Sequence, residues 1–258
     1  MNYKAIITDL DGTAVDSPRL KVVSERLRAA TAALEAKGIQ VCAATGRAET
    51  YAMPVIESMG LKGPAIISDG TQIIDSVSRR ELWRCGMSAE QIRAVVECLQ
   101  GKVYRVLWND YSEDEYRSGG WSLADFTDYD SIYFFKLCYL LPDEAAEIAE
   151  RMNSIEGIAA TVIIAQREGA RDIHITNAAA TKEYAIHELE RMISVPREAM
   201  IGIGDGHNDL HLFNAVGYRV AMGNAVPELK AAADEVIGRI NEDGLAIYFE
   251  QLAKETNL

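Results

Sequence analysis

The sequence predicts an α/β fold, with a doubly wound parallel sheet at its core and an α+β domain inserted into that core. Short apolar runs alternate with helical patterns in residues 4–67, and the same alternation resumes after Asn177. This alternation is typical of strand–helix–strand units in a parallel sheet. Between the two stretches, segments rich in β-branched and aromatic residues follow a different order. A chain of 258 residues is long enough to hold both domains.

The first core segment is predicted to contain three strands joined by two helices. Ile6 and Ile7 belong to a short apolar run, which is typical of a central strand buried on both faces. Apolar residues at helical spacing predict a helix that starts near Val23, and a second helix follows the next strand. Gly38 and Gly60 are placed to end these helices. The predicted strands lie at residues 4–8, 39–44 and 65–67.

The inserted domain is predicted to span residues 85–176. Ser88 and Gln91 resemble the capping box that opens a helix, here one that reaches about Leu99. A second helix is expected at 143–152, between strands rich in β-branched and aromatic residues. These strands are predicted at residues 103–108, 132–141, 159–165 and 172–176.

The second core segment repeats the rhythm of the first and completes the sheet. Its helices are expected at residues 181–193, from about 208, and at 227–233, and its strands at 199–203 and 219–222. Residues 72–74 and 81–84 predict either a hairpin or a linker into the insert. The doubly wound core is therefore assigned to residues 1–84 and 177–258.

Composition excludes several classes of function. Asp and Glu number 39 against 26 Lys and Arg, for a net charge of -13, which argues against broad binding of nucleic acid. The longest apolar run, residues 132–141, is broken by Lys136 and is too short to cross a membrane. Acidic residues near the N-terminus are unlike a signal peptide. The four cysteines stand alone in sequence, as in proteins of the reducing cytoplasm, and oligomeric state is left open.

The first candidate site follows the opening strand. Asp9 and Asp11 are two residues apart, so their side chains point the same way where the strand stops. Gly12 permits a sharp turn and Thr13 offers a hydroxyl to the local backbone. Two carboxylates held together at a buried strand end are costly unless a cation joins them, and a divalent ion would do so. A turn made of helix-capping aspartates is the alternative for this pair taken alone.

Two further segments suit an anion. Thr45, Gly46 and Arg47 place a hydroxyl and backbone N–H groups near a helix start, although an ordinary strand-to-helix turn explains them equally well. Lys182 lies in the first turn of a helix, where a cation interacts unfavourably with the helix dipole. Its position indicates an anionic partner, while a plain surface lysine remains the alternative.

The fourth candidate segment runs from Gly204 to Asp209, after another buried strand. Asp205 and Asp209 flank Asn208, and this hard oxygen set suits Mg²⁺. His207 and His211, four residues apart on a helix, offer zinc as an alternative, which the carboxylates and the lack of a third soft ligand make the weaker one. Together the four segments favour phosphoryl transfer, in which catalysis depends on positioning and on neutralising charge.

In this order the segments match the four motifs of the haloacid dehalogenase superfamily. The segment that resembles the first motif is Asp9-Leu10-Asp11-Gly12-Thr13. The insert after the second motif, together with residues 221–225 and 241–244, is similar to the Cof-type (IIB) sugar-phosphatase branch. The resemblance covers the whole chain and implies a Rossmann-like core with a type-2 cap domain closing over the site.

The resemblance also implies a role for each site residue. Asp9 would attack phosphorus and form an aspartyl-phosphate. Asp11 would protonate the leaving oxygen, activate water and bind Mg²⁺ through its backbone carbonyl. The remaining assignments are Asp205 as the other protein ligand of the metal, Asp209 as a support for the metal's waters, and Thr45, Gly46, Arg47, Lys182 and Asn208 as phosphate or substrate ligands. Near a dication, the pKa of Asp9 is expected to fall.

The leading hypothesis is a Mg²⁺-dependent phosphatase of small phosphorylated metabolites, with sugar or polyol phosphates as substrates. A phosphomutase of the same branch and a phospho-aspartate signalling module are the alternatives. Two departures from the family pattern, Asp69 before Gly70 and Glu183 after Lys182, put extra carboxylates near the anion site. Residues 110–130 are predicted to form a long loop or mobile rim. Candidate substrate contacts in the insert are Tyr111, Arg117, Trp121 and Lys136.

Overall fold

The computed structural model describes residues 3–16, 20–102, 104–109, 129, 132–165 and 167–255. Contacts divide the chain into two compact units. The core unit comprises Met1–Trp83 and Thr181–Leu258, and the inserted unit comprises Arg84–Ala180. The elements in chain order are β1 (Ala5–Thr8), α1 (Glu25–Ala36), β2 (Gln40–Ala43), α2 (Glu49–Met59), β3 (Ala65–Ile67), β4 (Gln72–Ile74), β5 (Glu81–Arg84), α3 (Ala89–Cys98), β6 (Val106–Trp108), β7 (Phe134–Leu140), α4 (Pro142–Asn153), β8 (Ile158–Ile164), β9 (Arg171–Asn177), α5 (Lys182–Ile193), β10 (Met200–Gly204), α6 (Asp209–Asn214), β11 (Tyr218–Ala221), α7 (Pro227–Ala232), β12 (Glu235–Val236) and α8 (Gly244–Glu255).

The core unit is organised on a parallel sheet of five strands in the order β12-β11-β10-β1-β2. Strand β1 is an interior strand between β10 and β2, and Ala5, Ile6 and Ile7 are fully buried. An apolar run without alternation is what a strand covered on both faces requires. The predicted parallel α/β core is therefore confirmed.

Helix ends in the core unit follow from local residues. Ser24 caps α1 by accepting a hydrogen bond from the backbone N–H of Leu27. Helix α2 ends at Gly60, whose φ of 76° is a left-handed conformation that glycine adopts without strain. Helix α8 packs against α1, where Arg26 donates two hydrogen bonds to the carboxylate of Glu250, at 2.8 and 2.9 Å.

Strand β3 differs from the sequence prediction, which places it in the parallel sheet. It touches β2 through a single parallel bridge, between Ala44 and Ile66. Its regular partner is β4, which runs antiparallel to it, and β5 completes a separate sheet of three strands. The physical reason is the turn that follows β3, in which Ser68 and Asp69 have φ values of 49° and 56° and reverse the chain at once. Of the two possibilities for residues 72–84, the hairpin is correct.

The inserted unit is an α+β structure with its own core. Its antiparallel sheet has the order β6-β7-β9-β8, and helices α3 and α4 share one apolar cluster with it. The capping box predicted from Ser88 and Gln91 is present at the start of α3. A register shift between Leu137 and Leu140 interrupts the pairing of β7 with β9. Tyr139 lies within this bulge at a φ of 60°.

Some predictions concern residues that the structure does not describe, and some elements were not predicted. The loop at residues 110–130 lies almost wholly outside the described residues, together with Tyr111, Arg117 and Trp121. Strand β12 and helix α8 have no counterpart in the sequence prediction. Strand β12 has only two residues, which is too short for a sequence pattern. Within the described ranges, every helix is too short or too polar to cross a bilayer.

Candidate active site

Three parallel strands deliver the candidate residues to one edge of the core sheet. Thr8, the last residue of β1, pairs with Ile203 on one side and Ala43 on the other. The backbone N–H of Asp9 continues this ladder by donating to the carbonyl of Ile203 at 2.9 Å. Because the strands are in register, Asp9, Asp205 and Thr45 all follow strand ends at the same edge.

The centre of the site is a buried cluster of two carboxylates and one ammonium group. Lys182 Nζ lies 2.6 Å from Asp9 Oδ1 and 2.6 Å from Asp209 Oδ1. All three residues are at most 5% exposed. We call Asp9, Lys182, Asp209 and the adjacent Asp205 the inner cluster.

Lys182 reaches these carboxylates because it is the first residue of α5. Thr181 caps that helix by accepting a hydrogen bond from the N–H of Tyr184 at 3.1 Å. Burial alone would lower the pKa of Lys182, but Asp209 and Asp9 raise it above its ordinary value, so the ammonium stays charged. The anionic partner that the position of Lys182 predicts is therefore supplied by the chain itself.

Asp205 joins the inner cluster from the loop after β10. Ligand oxygens of Asp9, Asp205 and Asp209 all lie within 4.8 Å of one another. The second carboxylate oxygen of Asp209 accepts hydrogen bonds from the N–H groups of Asp205 and Gly206, at 2.9 and 3.0 Å. These bonds fix the loop that carries Asp205 to the first turn of α6.

Two glycines make this close packing possible. A Cβ atom on Gly12 would lie 2.1 Å from Asp205 Oδ2, and the φ of Gly12 is 74°. A Cβ atom on Gly204 would lie 2.3 Å from Asp209 Cγ. Contacts of that length are sterically forbidden, so any other residue at either position would displace a carboxylate of the inner cluster.

The inner cluster has three carboxylates and one ammonium group, and the burial of these carboxylates raises their pKa values where a shift is resolved. Burial raises the pKa of Asp205 to about 6, and Asp209 contributes in the same direction. Burial also raises the pKa of Asp9, an effect that Lys182 opposes and Asp209 reinforces. The sequence argument expects a lowered pKa for Asp9 beside a dication, so that lowering depends on the cation.

Asp11 lies outside the inner cluster and has its own cation. Arg47 Nε and Nη2 donate to the two carboxylate oxygens of Asp11, at 2.9 and 2.7 Å. The Arg47 side chain is 6% exposed and that of Asp11 is 37% exposed. We call Asp11 and Arg47 the outer pair.

The other predicted phosphate ligands lie around the same edge. Thr45 is fully buried, and its hydroxyl accepts a hydrogen bond from the N–H of Arg47 at 3.1 Å. A Cβ atom on Gly46 would lie 2.5 Å from Asp69 Oδ1, so the carboxylate of Asp69 lies beside this turn. Asn208 is exposed and immediately precedes α6.

Glu183 and the two histidines are engaged elsewhere. Glu183 Oε2 accepts a hydrogen bond from Asn214 Nδ2 at 3.1 Å and lies 3.7 Å from His211 Nδ1. His207 Nε2 lies 3.4 Å from Glu228 Oε2. Among the described residues, the group able to hold a metal consists of Asp9, Asp205 and Asp209, which does not include the proposed zinc histidines.

Sequence reasoning missed Asn224. Its Nδ2 donates to the carbonyl of Gly12 at 2.8 Å and reaches Asp205 Oδ2 at 3.4 Å, while its Oδ1 accepts from the N–H of Ile240 at 2.9 Å. Thr13 Oγ1, assigned above to the local backbone, donates to Asp205 Oδ1 at 3.4 Å. Asn224 belongs to residues 221–225, which the family resemblance includes, but it lies three residues after β11, so the strand-end pattern that marked Asp9 and Asp205 does not single it out.

The donor set of the inner cluster fits a hard divalent cation. The three aspartates of the inner cluster offer carboxylate oxygens, and Mg²⁺ takes oxygen ligands of this kind together with water. Burial raises the pKa of Asp205 and the neighbouring carboxylate of Asp209 adds to this, so a bound cation would stabilise the ionised form. Among the described residues, Asp11 does not belong to this group of carboxylates.

The chain is similar in sequence to proteins of known family. The family model described as haloacid dehalogenase-like hydrolase matches residues 6–249. A phosphoglycolate phosphatase of Methanothermobacter thermautotrophicus is 25% identical over 251 residues, which cover 94% of this chain and 96% of the relative. The match to the family model thus takes in all four motifs.

Solved structures show the same architecture. A haloacid dehalogenase-like hydrolase from Bacteroides thetaiotaomicron gives a TM-score of 0.79 at 24% identity, over 97% of this chain and 99% of the other. A structure described as that of a HAD subclass IIB sugar phosphatase gives a TM-score of 0.71 at 20% identity, over 96% and 98%. At these identities the likeness establishes the fold.

Proposed function

The chain belongs to the haloacid dehalogenase-like hydrolases and is a phosphatase, and we propose that it hydrolyses sugar and polyol phosphates with Mg²⁺ and an aspartyl-phosphate on Asp9. The family resemblance drawn from the four motifs is thereby confirmed. One observation carries the proposal beyond the family: Lys182 Nζ lies 2.6 Å from both Asp9 and Asp209, with Asp205 adjacent. A nucleophile, a cation and metal ligands therefore meet at one strand end.

Asp9 is suited to attack phosphorus because its position is fixed. Its backbone continues the β1 ladder, and one of its carboxylate oxygens is held by Lys182. In the first step a bond forms between a carboxylate oxygen of Asp9 and phosphorus, while the bond from phosphorus to the ester oxygen breaks. Burial raises the pKa of Asp9, so positive charge is needed to keep it anionic, and Lys182 provides part of that charge.

Asp11 is suited to move the proton because it is half-exposed and follows Asp9 by two residues. It gives a proton to the leaving ester oxygen in the first step. It then takes a proton from the water that attacks the phosphorus of the aspartyl-phosphate, and the bond from phosphorus to Asp9 breaks. This order restores both carboxylates and releases inorganic phosphate.

Asp9 and Asp205 would hold Mg²⁺, with the backbone carbonyl of Asp11 as a further oxygen ligand, and Asp209 would support the waters of the metal. When bound, the ion supplies charge neutralisation for the phosphoryl oxygens and keeps carboxylates deprotonated. Lys182, the Thr45 hydroxyl, the backbone N–H of Gly46 and Asn208 are assigned to the phosphoryl oxygens. Arg47 is considered separately below.

The substrate class is proposed from the site and from what relatives are called. One relative is named for phosphoglycolate and one structural neighbour for a sugar phosphate, so the relatives share a phosphate monoester on a small polar carbon skeleton. Asp69 adds a carboxylate beside Gly46, which disfavours a second anionic group there and favours hydroxyl groups. The free thiols of all four cysteines support a cytoplasmic location.

The decisive experiment measures phosphate release from a panel of sugar, polyol and acid phosphates, with Mg²⁺ and with EDTA. We expect release that stops with EDTA and returns with Mg²⁺. Asp9→Asn should abolish turnover while the melting temperature stays close to that of the wild type. Absence of release from every substrate by metal-loaded protein would overturn the proposal, and an isomerised sugar phosphate as the product would indicate a phosphomutase.

A further inference from the structure

We propose that Arg47 is a positioning residue that holds Asp11 in the orientation needed for proton transfer, and that it does not bind the phosphoryl group. The inference rests on the proposed function, because it assumes that Asp11 moves the proton. It departs from the sequence argument, which assigned Arg47 to phosphate together with Thr45 and Gly46. Its basis is where the guanidinium donors go.

The donors of Arg47 are committed to protein oxygens. Nε and Nη2 bind the two oxygens of Asp11, as described above, and Nη1 donates to the carbonyls of Leu20 and Tyr51, at 3.1 and 3.0 Å. A guanidinium has five N–H donors, and these contacts use at least four of them. A phosphate ligand needs N–H donors directed at the substrate. The donors of Arg47 are instead bound to Asp11 and to backbone carbonyls.

The two carbonyls make Arg47 a rigid support for Asp11. Tyr51 belongs to the first turn of α2, and Leu20 lies on the approach to α1, so the guanidinium is anchored to two separate segments of the backbone. Its side chain is almost fully buried, whereas that of Asp11 remains 37% exposed. A bidentate pair with a fixed, buried arginine allows the carboxylate few orientations, since both oxygens are bound in one plane.

Orientation matters for Asp11 because proton transfer needs a short hydrogen bond to the leaving oxygen. A carboxyl group that rotates freely spends little time in reach of that oxygen, and the bidentate contact with Arg47 leaves each Asp11 oxygen one lone pair that can carry the proton. The cost of losing Arg47 should therefore depend on the leaving group. An alkoxide leaves poorly without a proton, whereas a nitrophenolate leaves readily without one.

The test compares Arg47→Met with the wild type on two esters, p-nitrophenyl phosphate and the best alkyl phosphate of the metabolite panel. We expect kcat/KM for the alkyl ester to fall by roughly 10- to 100-fold, a part of the 10²–10⁴ that acid–base catalysis supplies. The fall for the aryl ester should be at most about threefold, and the inhibition constant of inorganic phosphate should stay within about twofold. Arg47→Lys, which keeps the charge without the planar fork, should resemble Arg47→Met.

A double-mutant cycle with Asp11→Asn decides whether Arg47 acts through Asp11. If it does, adding Arg47→Met to Asp11→Asn should change kcat/KM for the alkyl ester by no more than about twofold. The matched control is Arg26→Met, which removes another bidentate arginine–carboxylate pair of the core unit, one that is 43% exposed and lies on α1 and α8. It should leave both esters unaffected.

Three results would overturn the inference. Equal losses for the two esters, a weaker affinity for inorganic phosphate, or additive effects in the cycle would each return Arg47 to the phosphate ligands. Failure of Arg47→Met to fold would move the same comparisons to Arg47→Lys, which keeps the buried charge. A wild type that is inactive on both esters contradicts the proposed function itself, whereas an active wild type with unselective Arg47 variants contradicts only this inference.

Discussion

The inner cluster and the outer pair solve the same problem in opposite ways. In the inner cluster Lys182, a single compact ammonium, is shared by Asp9 and Asp209, and Asp205 lies beside them. In the outer pair Arg47 gives one carboxylate two donors, and Asp11 remains open to solvent on one side. The first arrangement leaves excess negative charge, and the second balances its charge one to one.

The difference shows how two aspartates, two residues apart on one strand end, acquire different chemistry. Asp9 is buried beside excess negative charge, which prepares it for a metal and for attack on phosphorus. Asp11 has an exclusive cation and access to solvent, which suits a group that exchanges protons with a leaving oxygen and with water. The four predictions below test this contrast, in order of decreasing effect.

The largest effect is expected for Lys182→Met, which leaves Asp9 and Asp209 buried without their shared cation. Turnover should fall at least about 10²- to 10³-fold, the cost of removing one preorganised charge from a site of this kind. The free energy of unfolding should fall by about 3–5 kcal/mol, as when one partner of a buried ion pair is removed. Steady-state kinetics and urea unfolding would measure the two losses.

The matched control for Lys182 is Lys62→Met, since Lys62 is 79% exposed and lies 3.8 Å from Glu35. Its unfolding free energy should change by no more than about 0.5 kcal/mol. If Lys182→Met lost no more activity and stability than this control, Lys182 would not be the buried cation that Asp9 and Asp209 share.

Asn224→Ala tests whether the two halves of the site are independent. Asn224 binds the carbonyl of Gly12, next to Asp11, and also reaches Asp205 in the inner cluster. Its loss should weaken metal binding about 10- to 100-fold, the usual cost of removing a group that orients a ligand. Calorimetric titration with Mn²⁺ would measure this change, with Asn214→Ala on α6 as the control. An unchanged affinity would mean that Asp205 needs no support from Asn224.

Metal binding should depend on pH through Asp205. The metal requires the ionised carboxylate, and burial raises the pKa of Asp205 to about 6 in the metal-free protein. Affinity for Mg²⁺ should therefore be constant well above pH 6 and fall by up to about tenfold for each pH unit below it. Calorimetry between pH 5 and 8 would show this profile, together with proton release on binding below pH 6. An affinity that stays constant down to pH 5 would contradict the raised pKa of Asp205.

The smallest effect is expected for Arg219→Met. Arg219 binds Asp234 with the same bidentate geometry as the outer pair, at 2.9 and 2.7 Å, but its side chain is 42% exposed. Its loss should cost about 0–1 kcal/mol of unfolding free energy and no activity. Urea unfolding of Arg219→Met and Arg47→Met would compare the two arginine–carboxylate pairs. Equal losses of unfolding free energy would show that geometry, and not burial, sets the strength of the outer pair.

The sequence was sufficient to predict residues whose position depends on strand ends. Asp9 and Asp205 follow buried apolar runs, and parallel strands in register bring such ends together. Lys182 was recognisable because a cation in the first turn of a helix calls for an anion nearby. The parallel core, the inserted α+β unit and the capping box of α3 follow from patterns of the same local kind.

What the sequence could not predict depends on contacts between distant side chains. The pairing of Arg47 with Asp11 spans 36 residues, and Asn224 binds Gly12 across 212 residues. Neither partner follows from local spacing, because the choice is made by rotamers in the assembled site. Strand β3 turned out differently because Ser68 and Asp69 adopt positive φ values, and neither is a residue that signals such a turn as glycine does.

The order of strands in the core sheet has a consequence for synthesis on the ribosome. Strand β1 lies between β2 and β10, and β10 begins at Met200. At translation rates of roughly 5–20 residues per second, the nascent chain waits about 10–40 s between making the first strand and making its second neighbour. Throughout that interval the side of β1 that later pairs with β10 has no permanent partner. An unpaired strand edge can pair with other chains. The segment that leads to Asp9 is therefore open to such pairing until most of the chain has been translated.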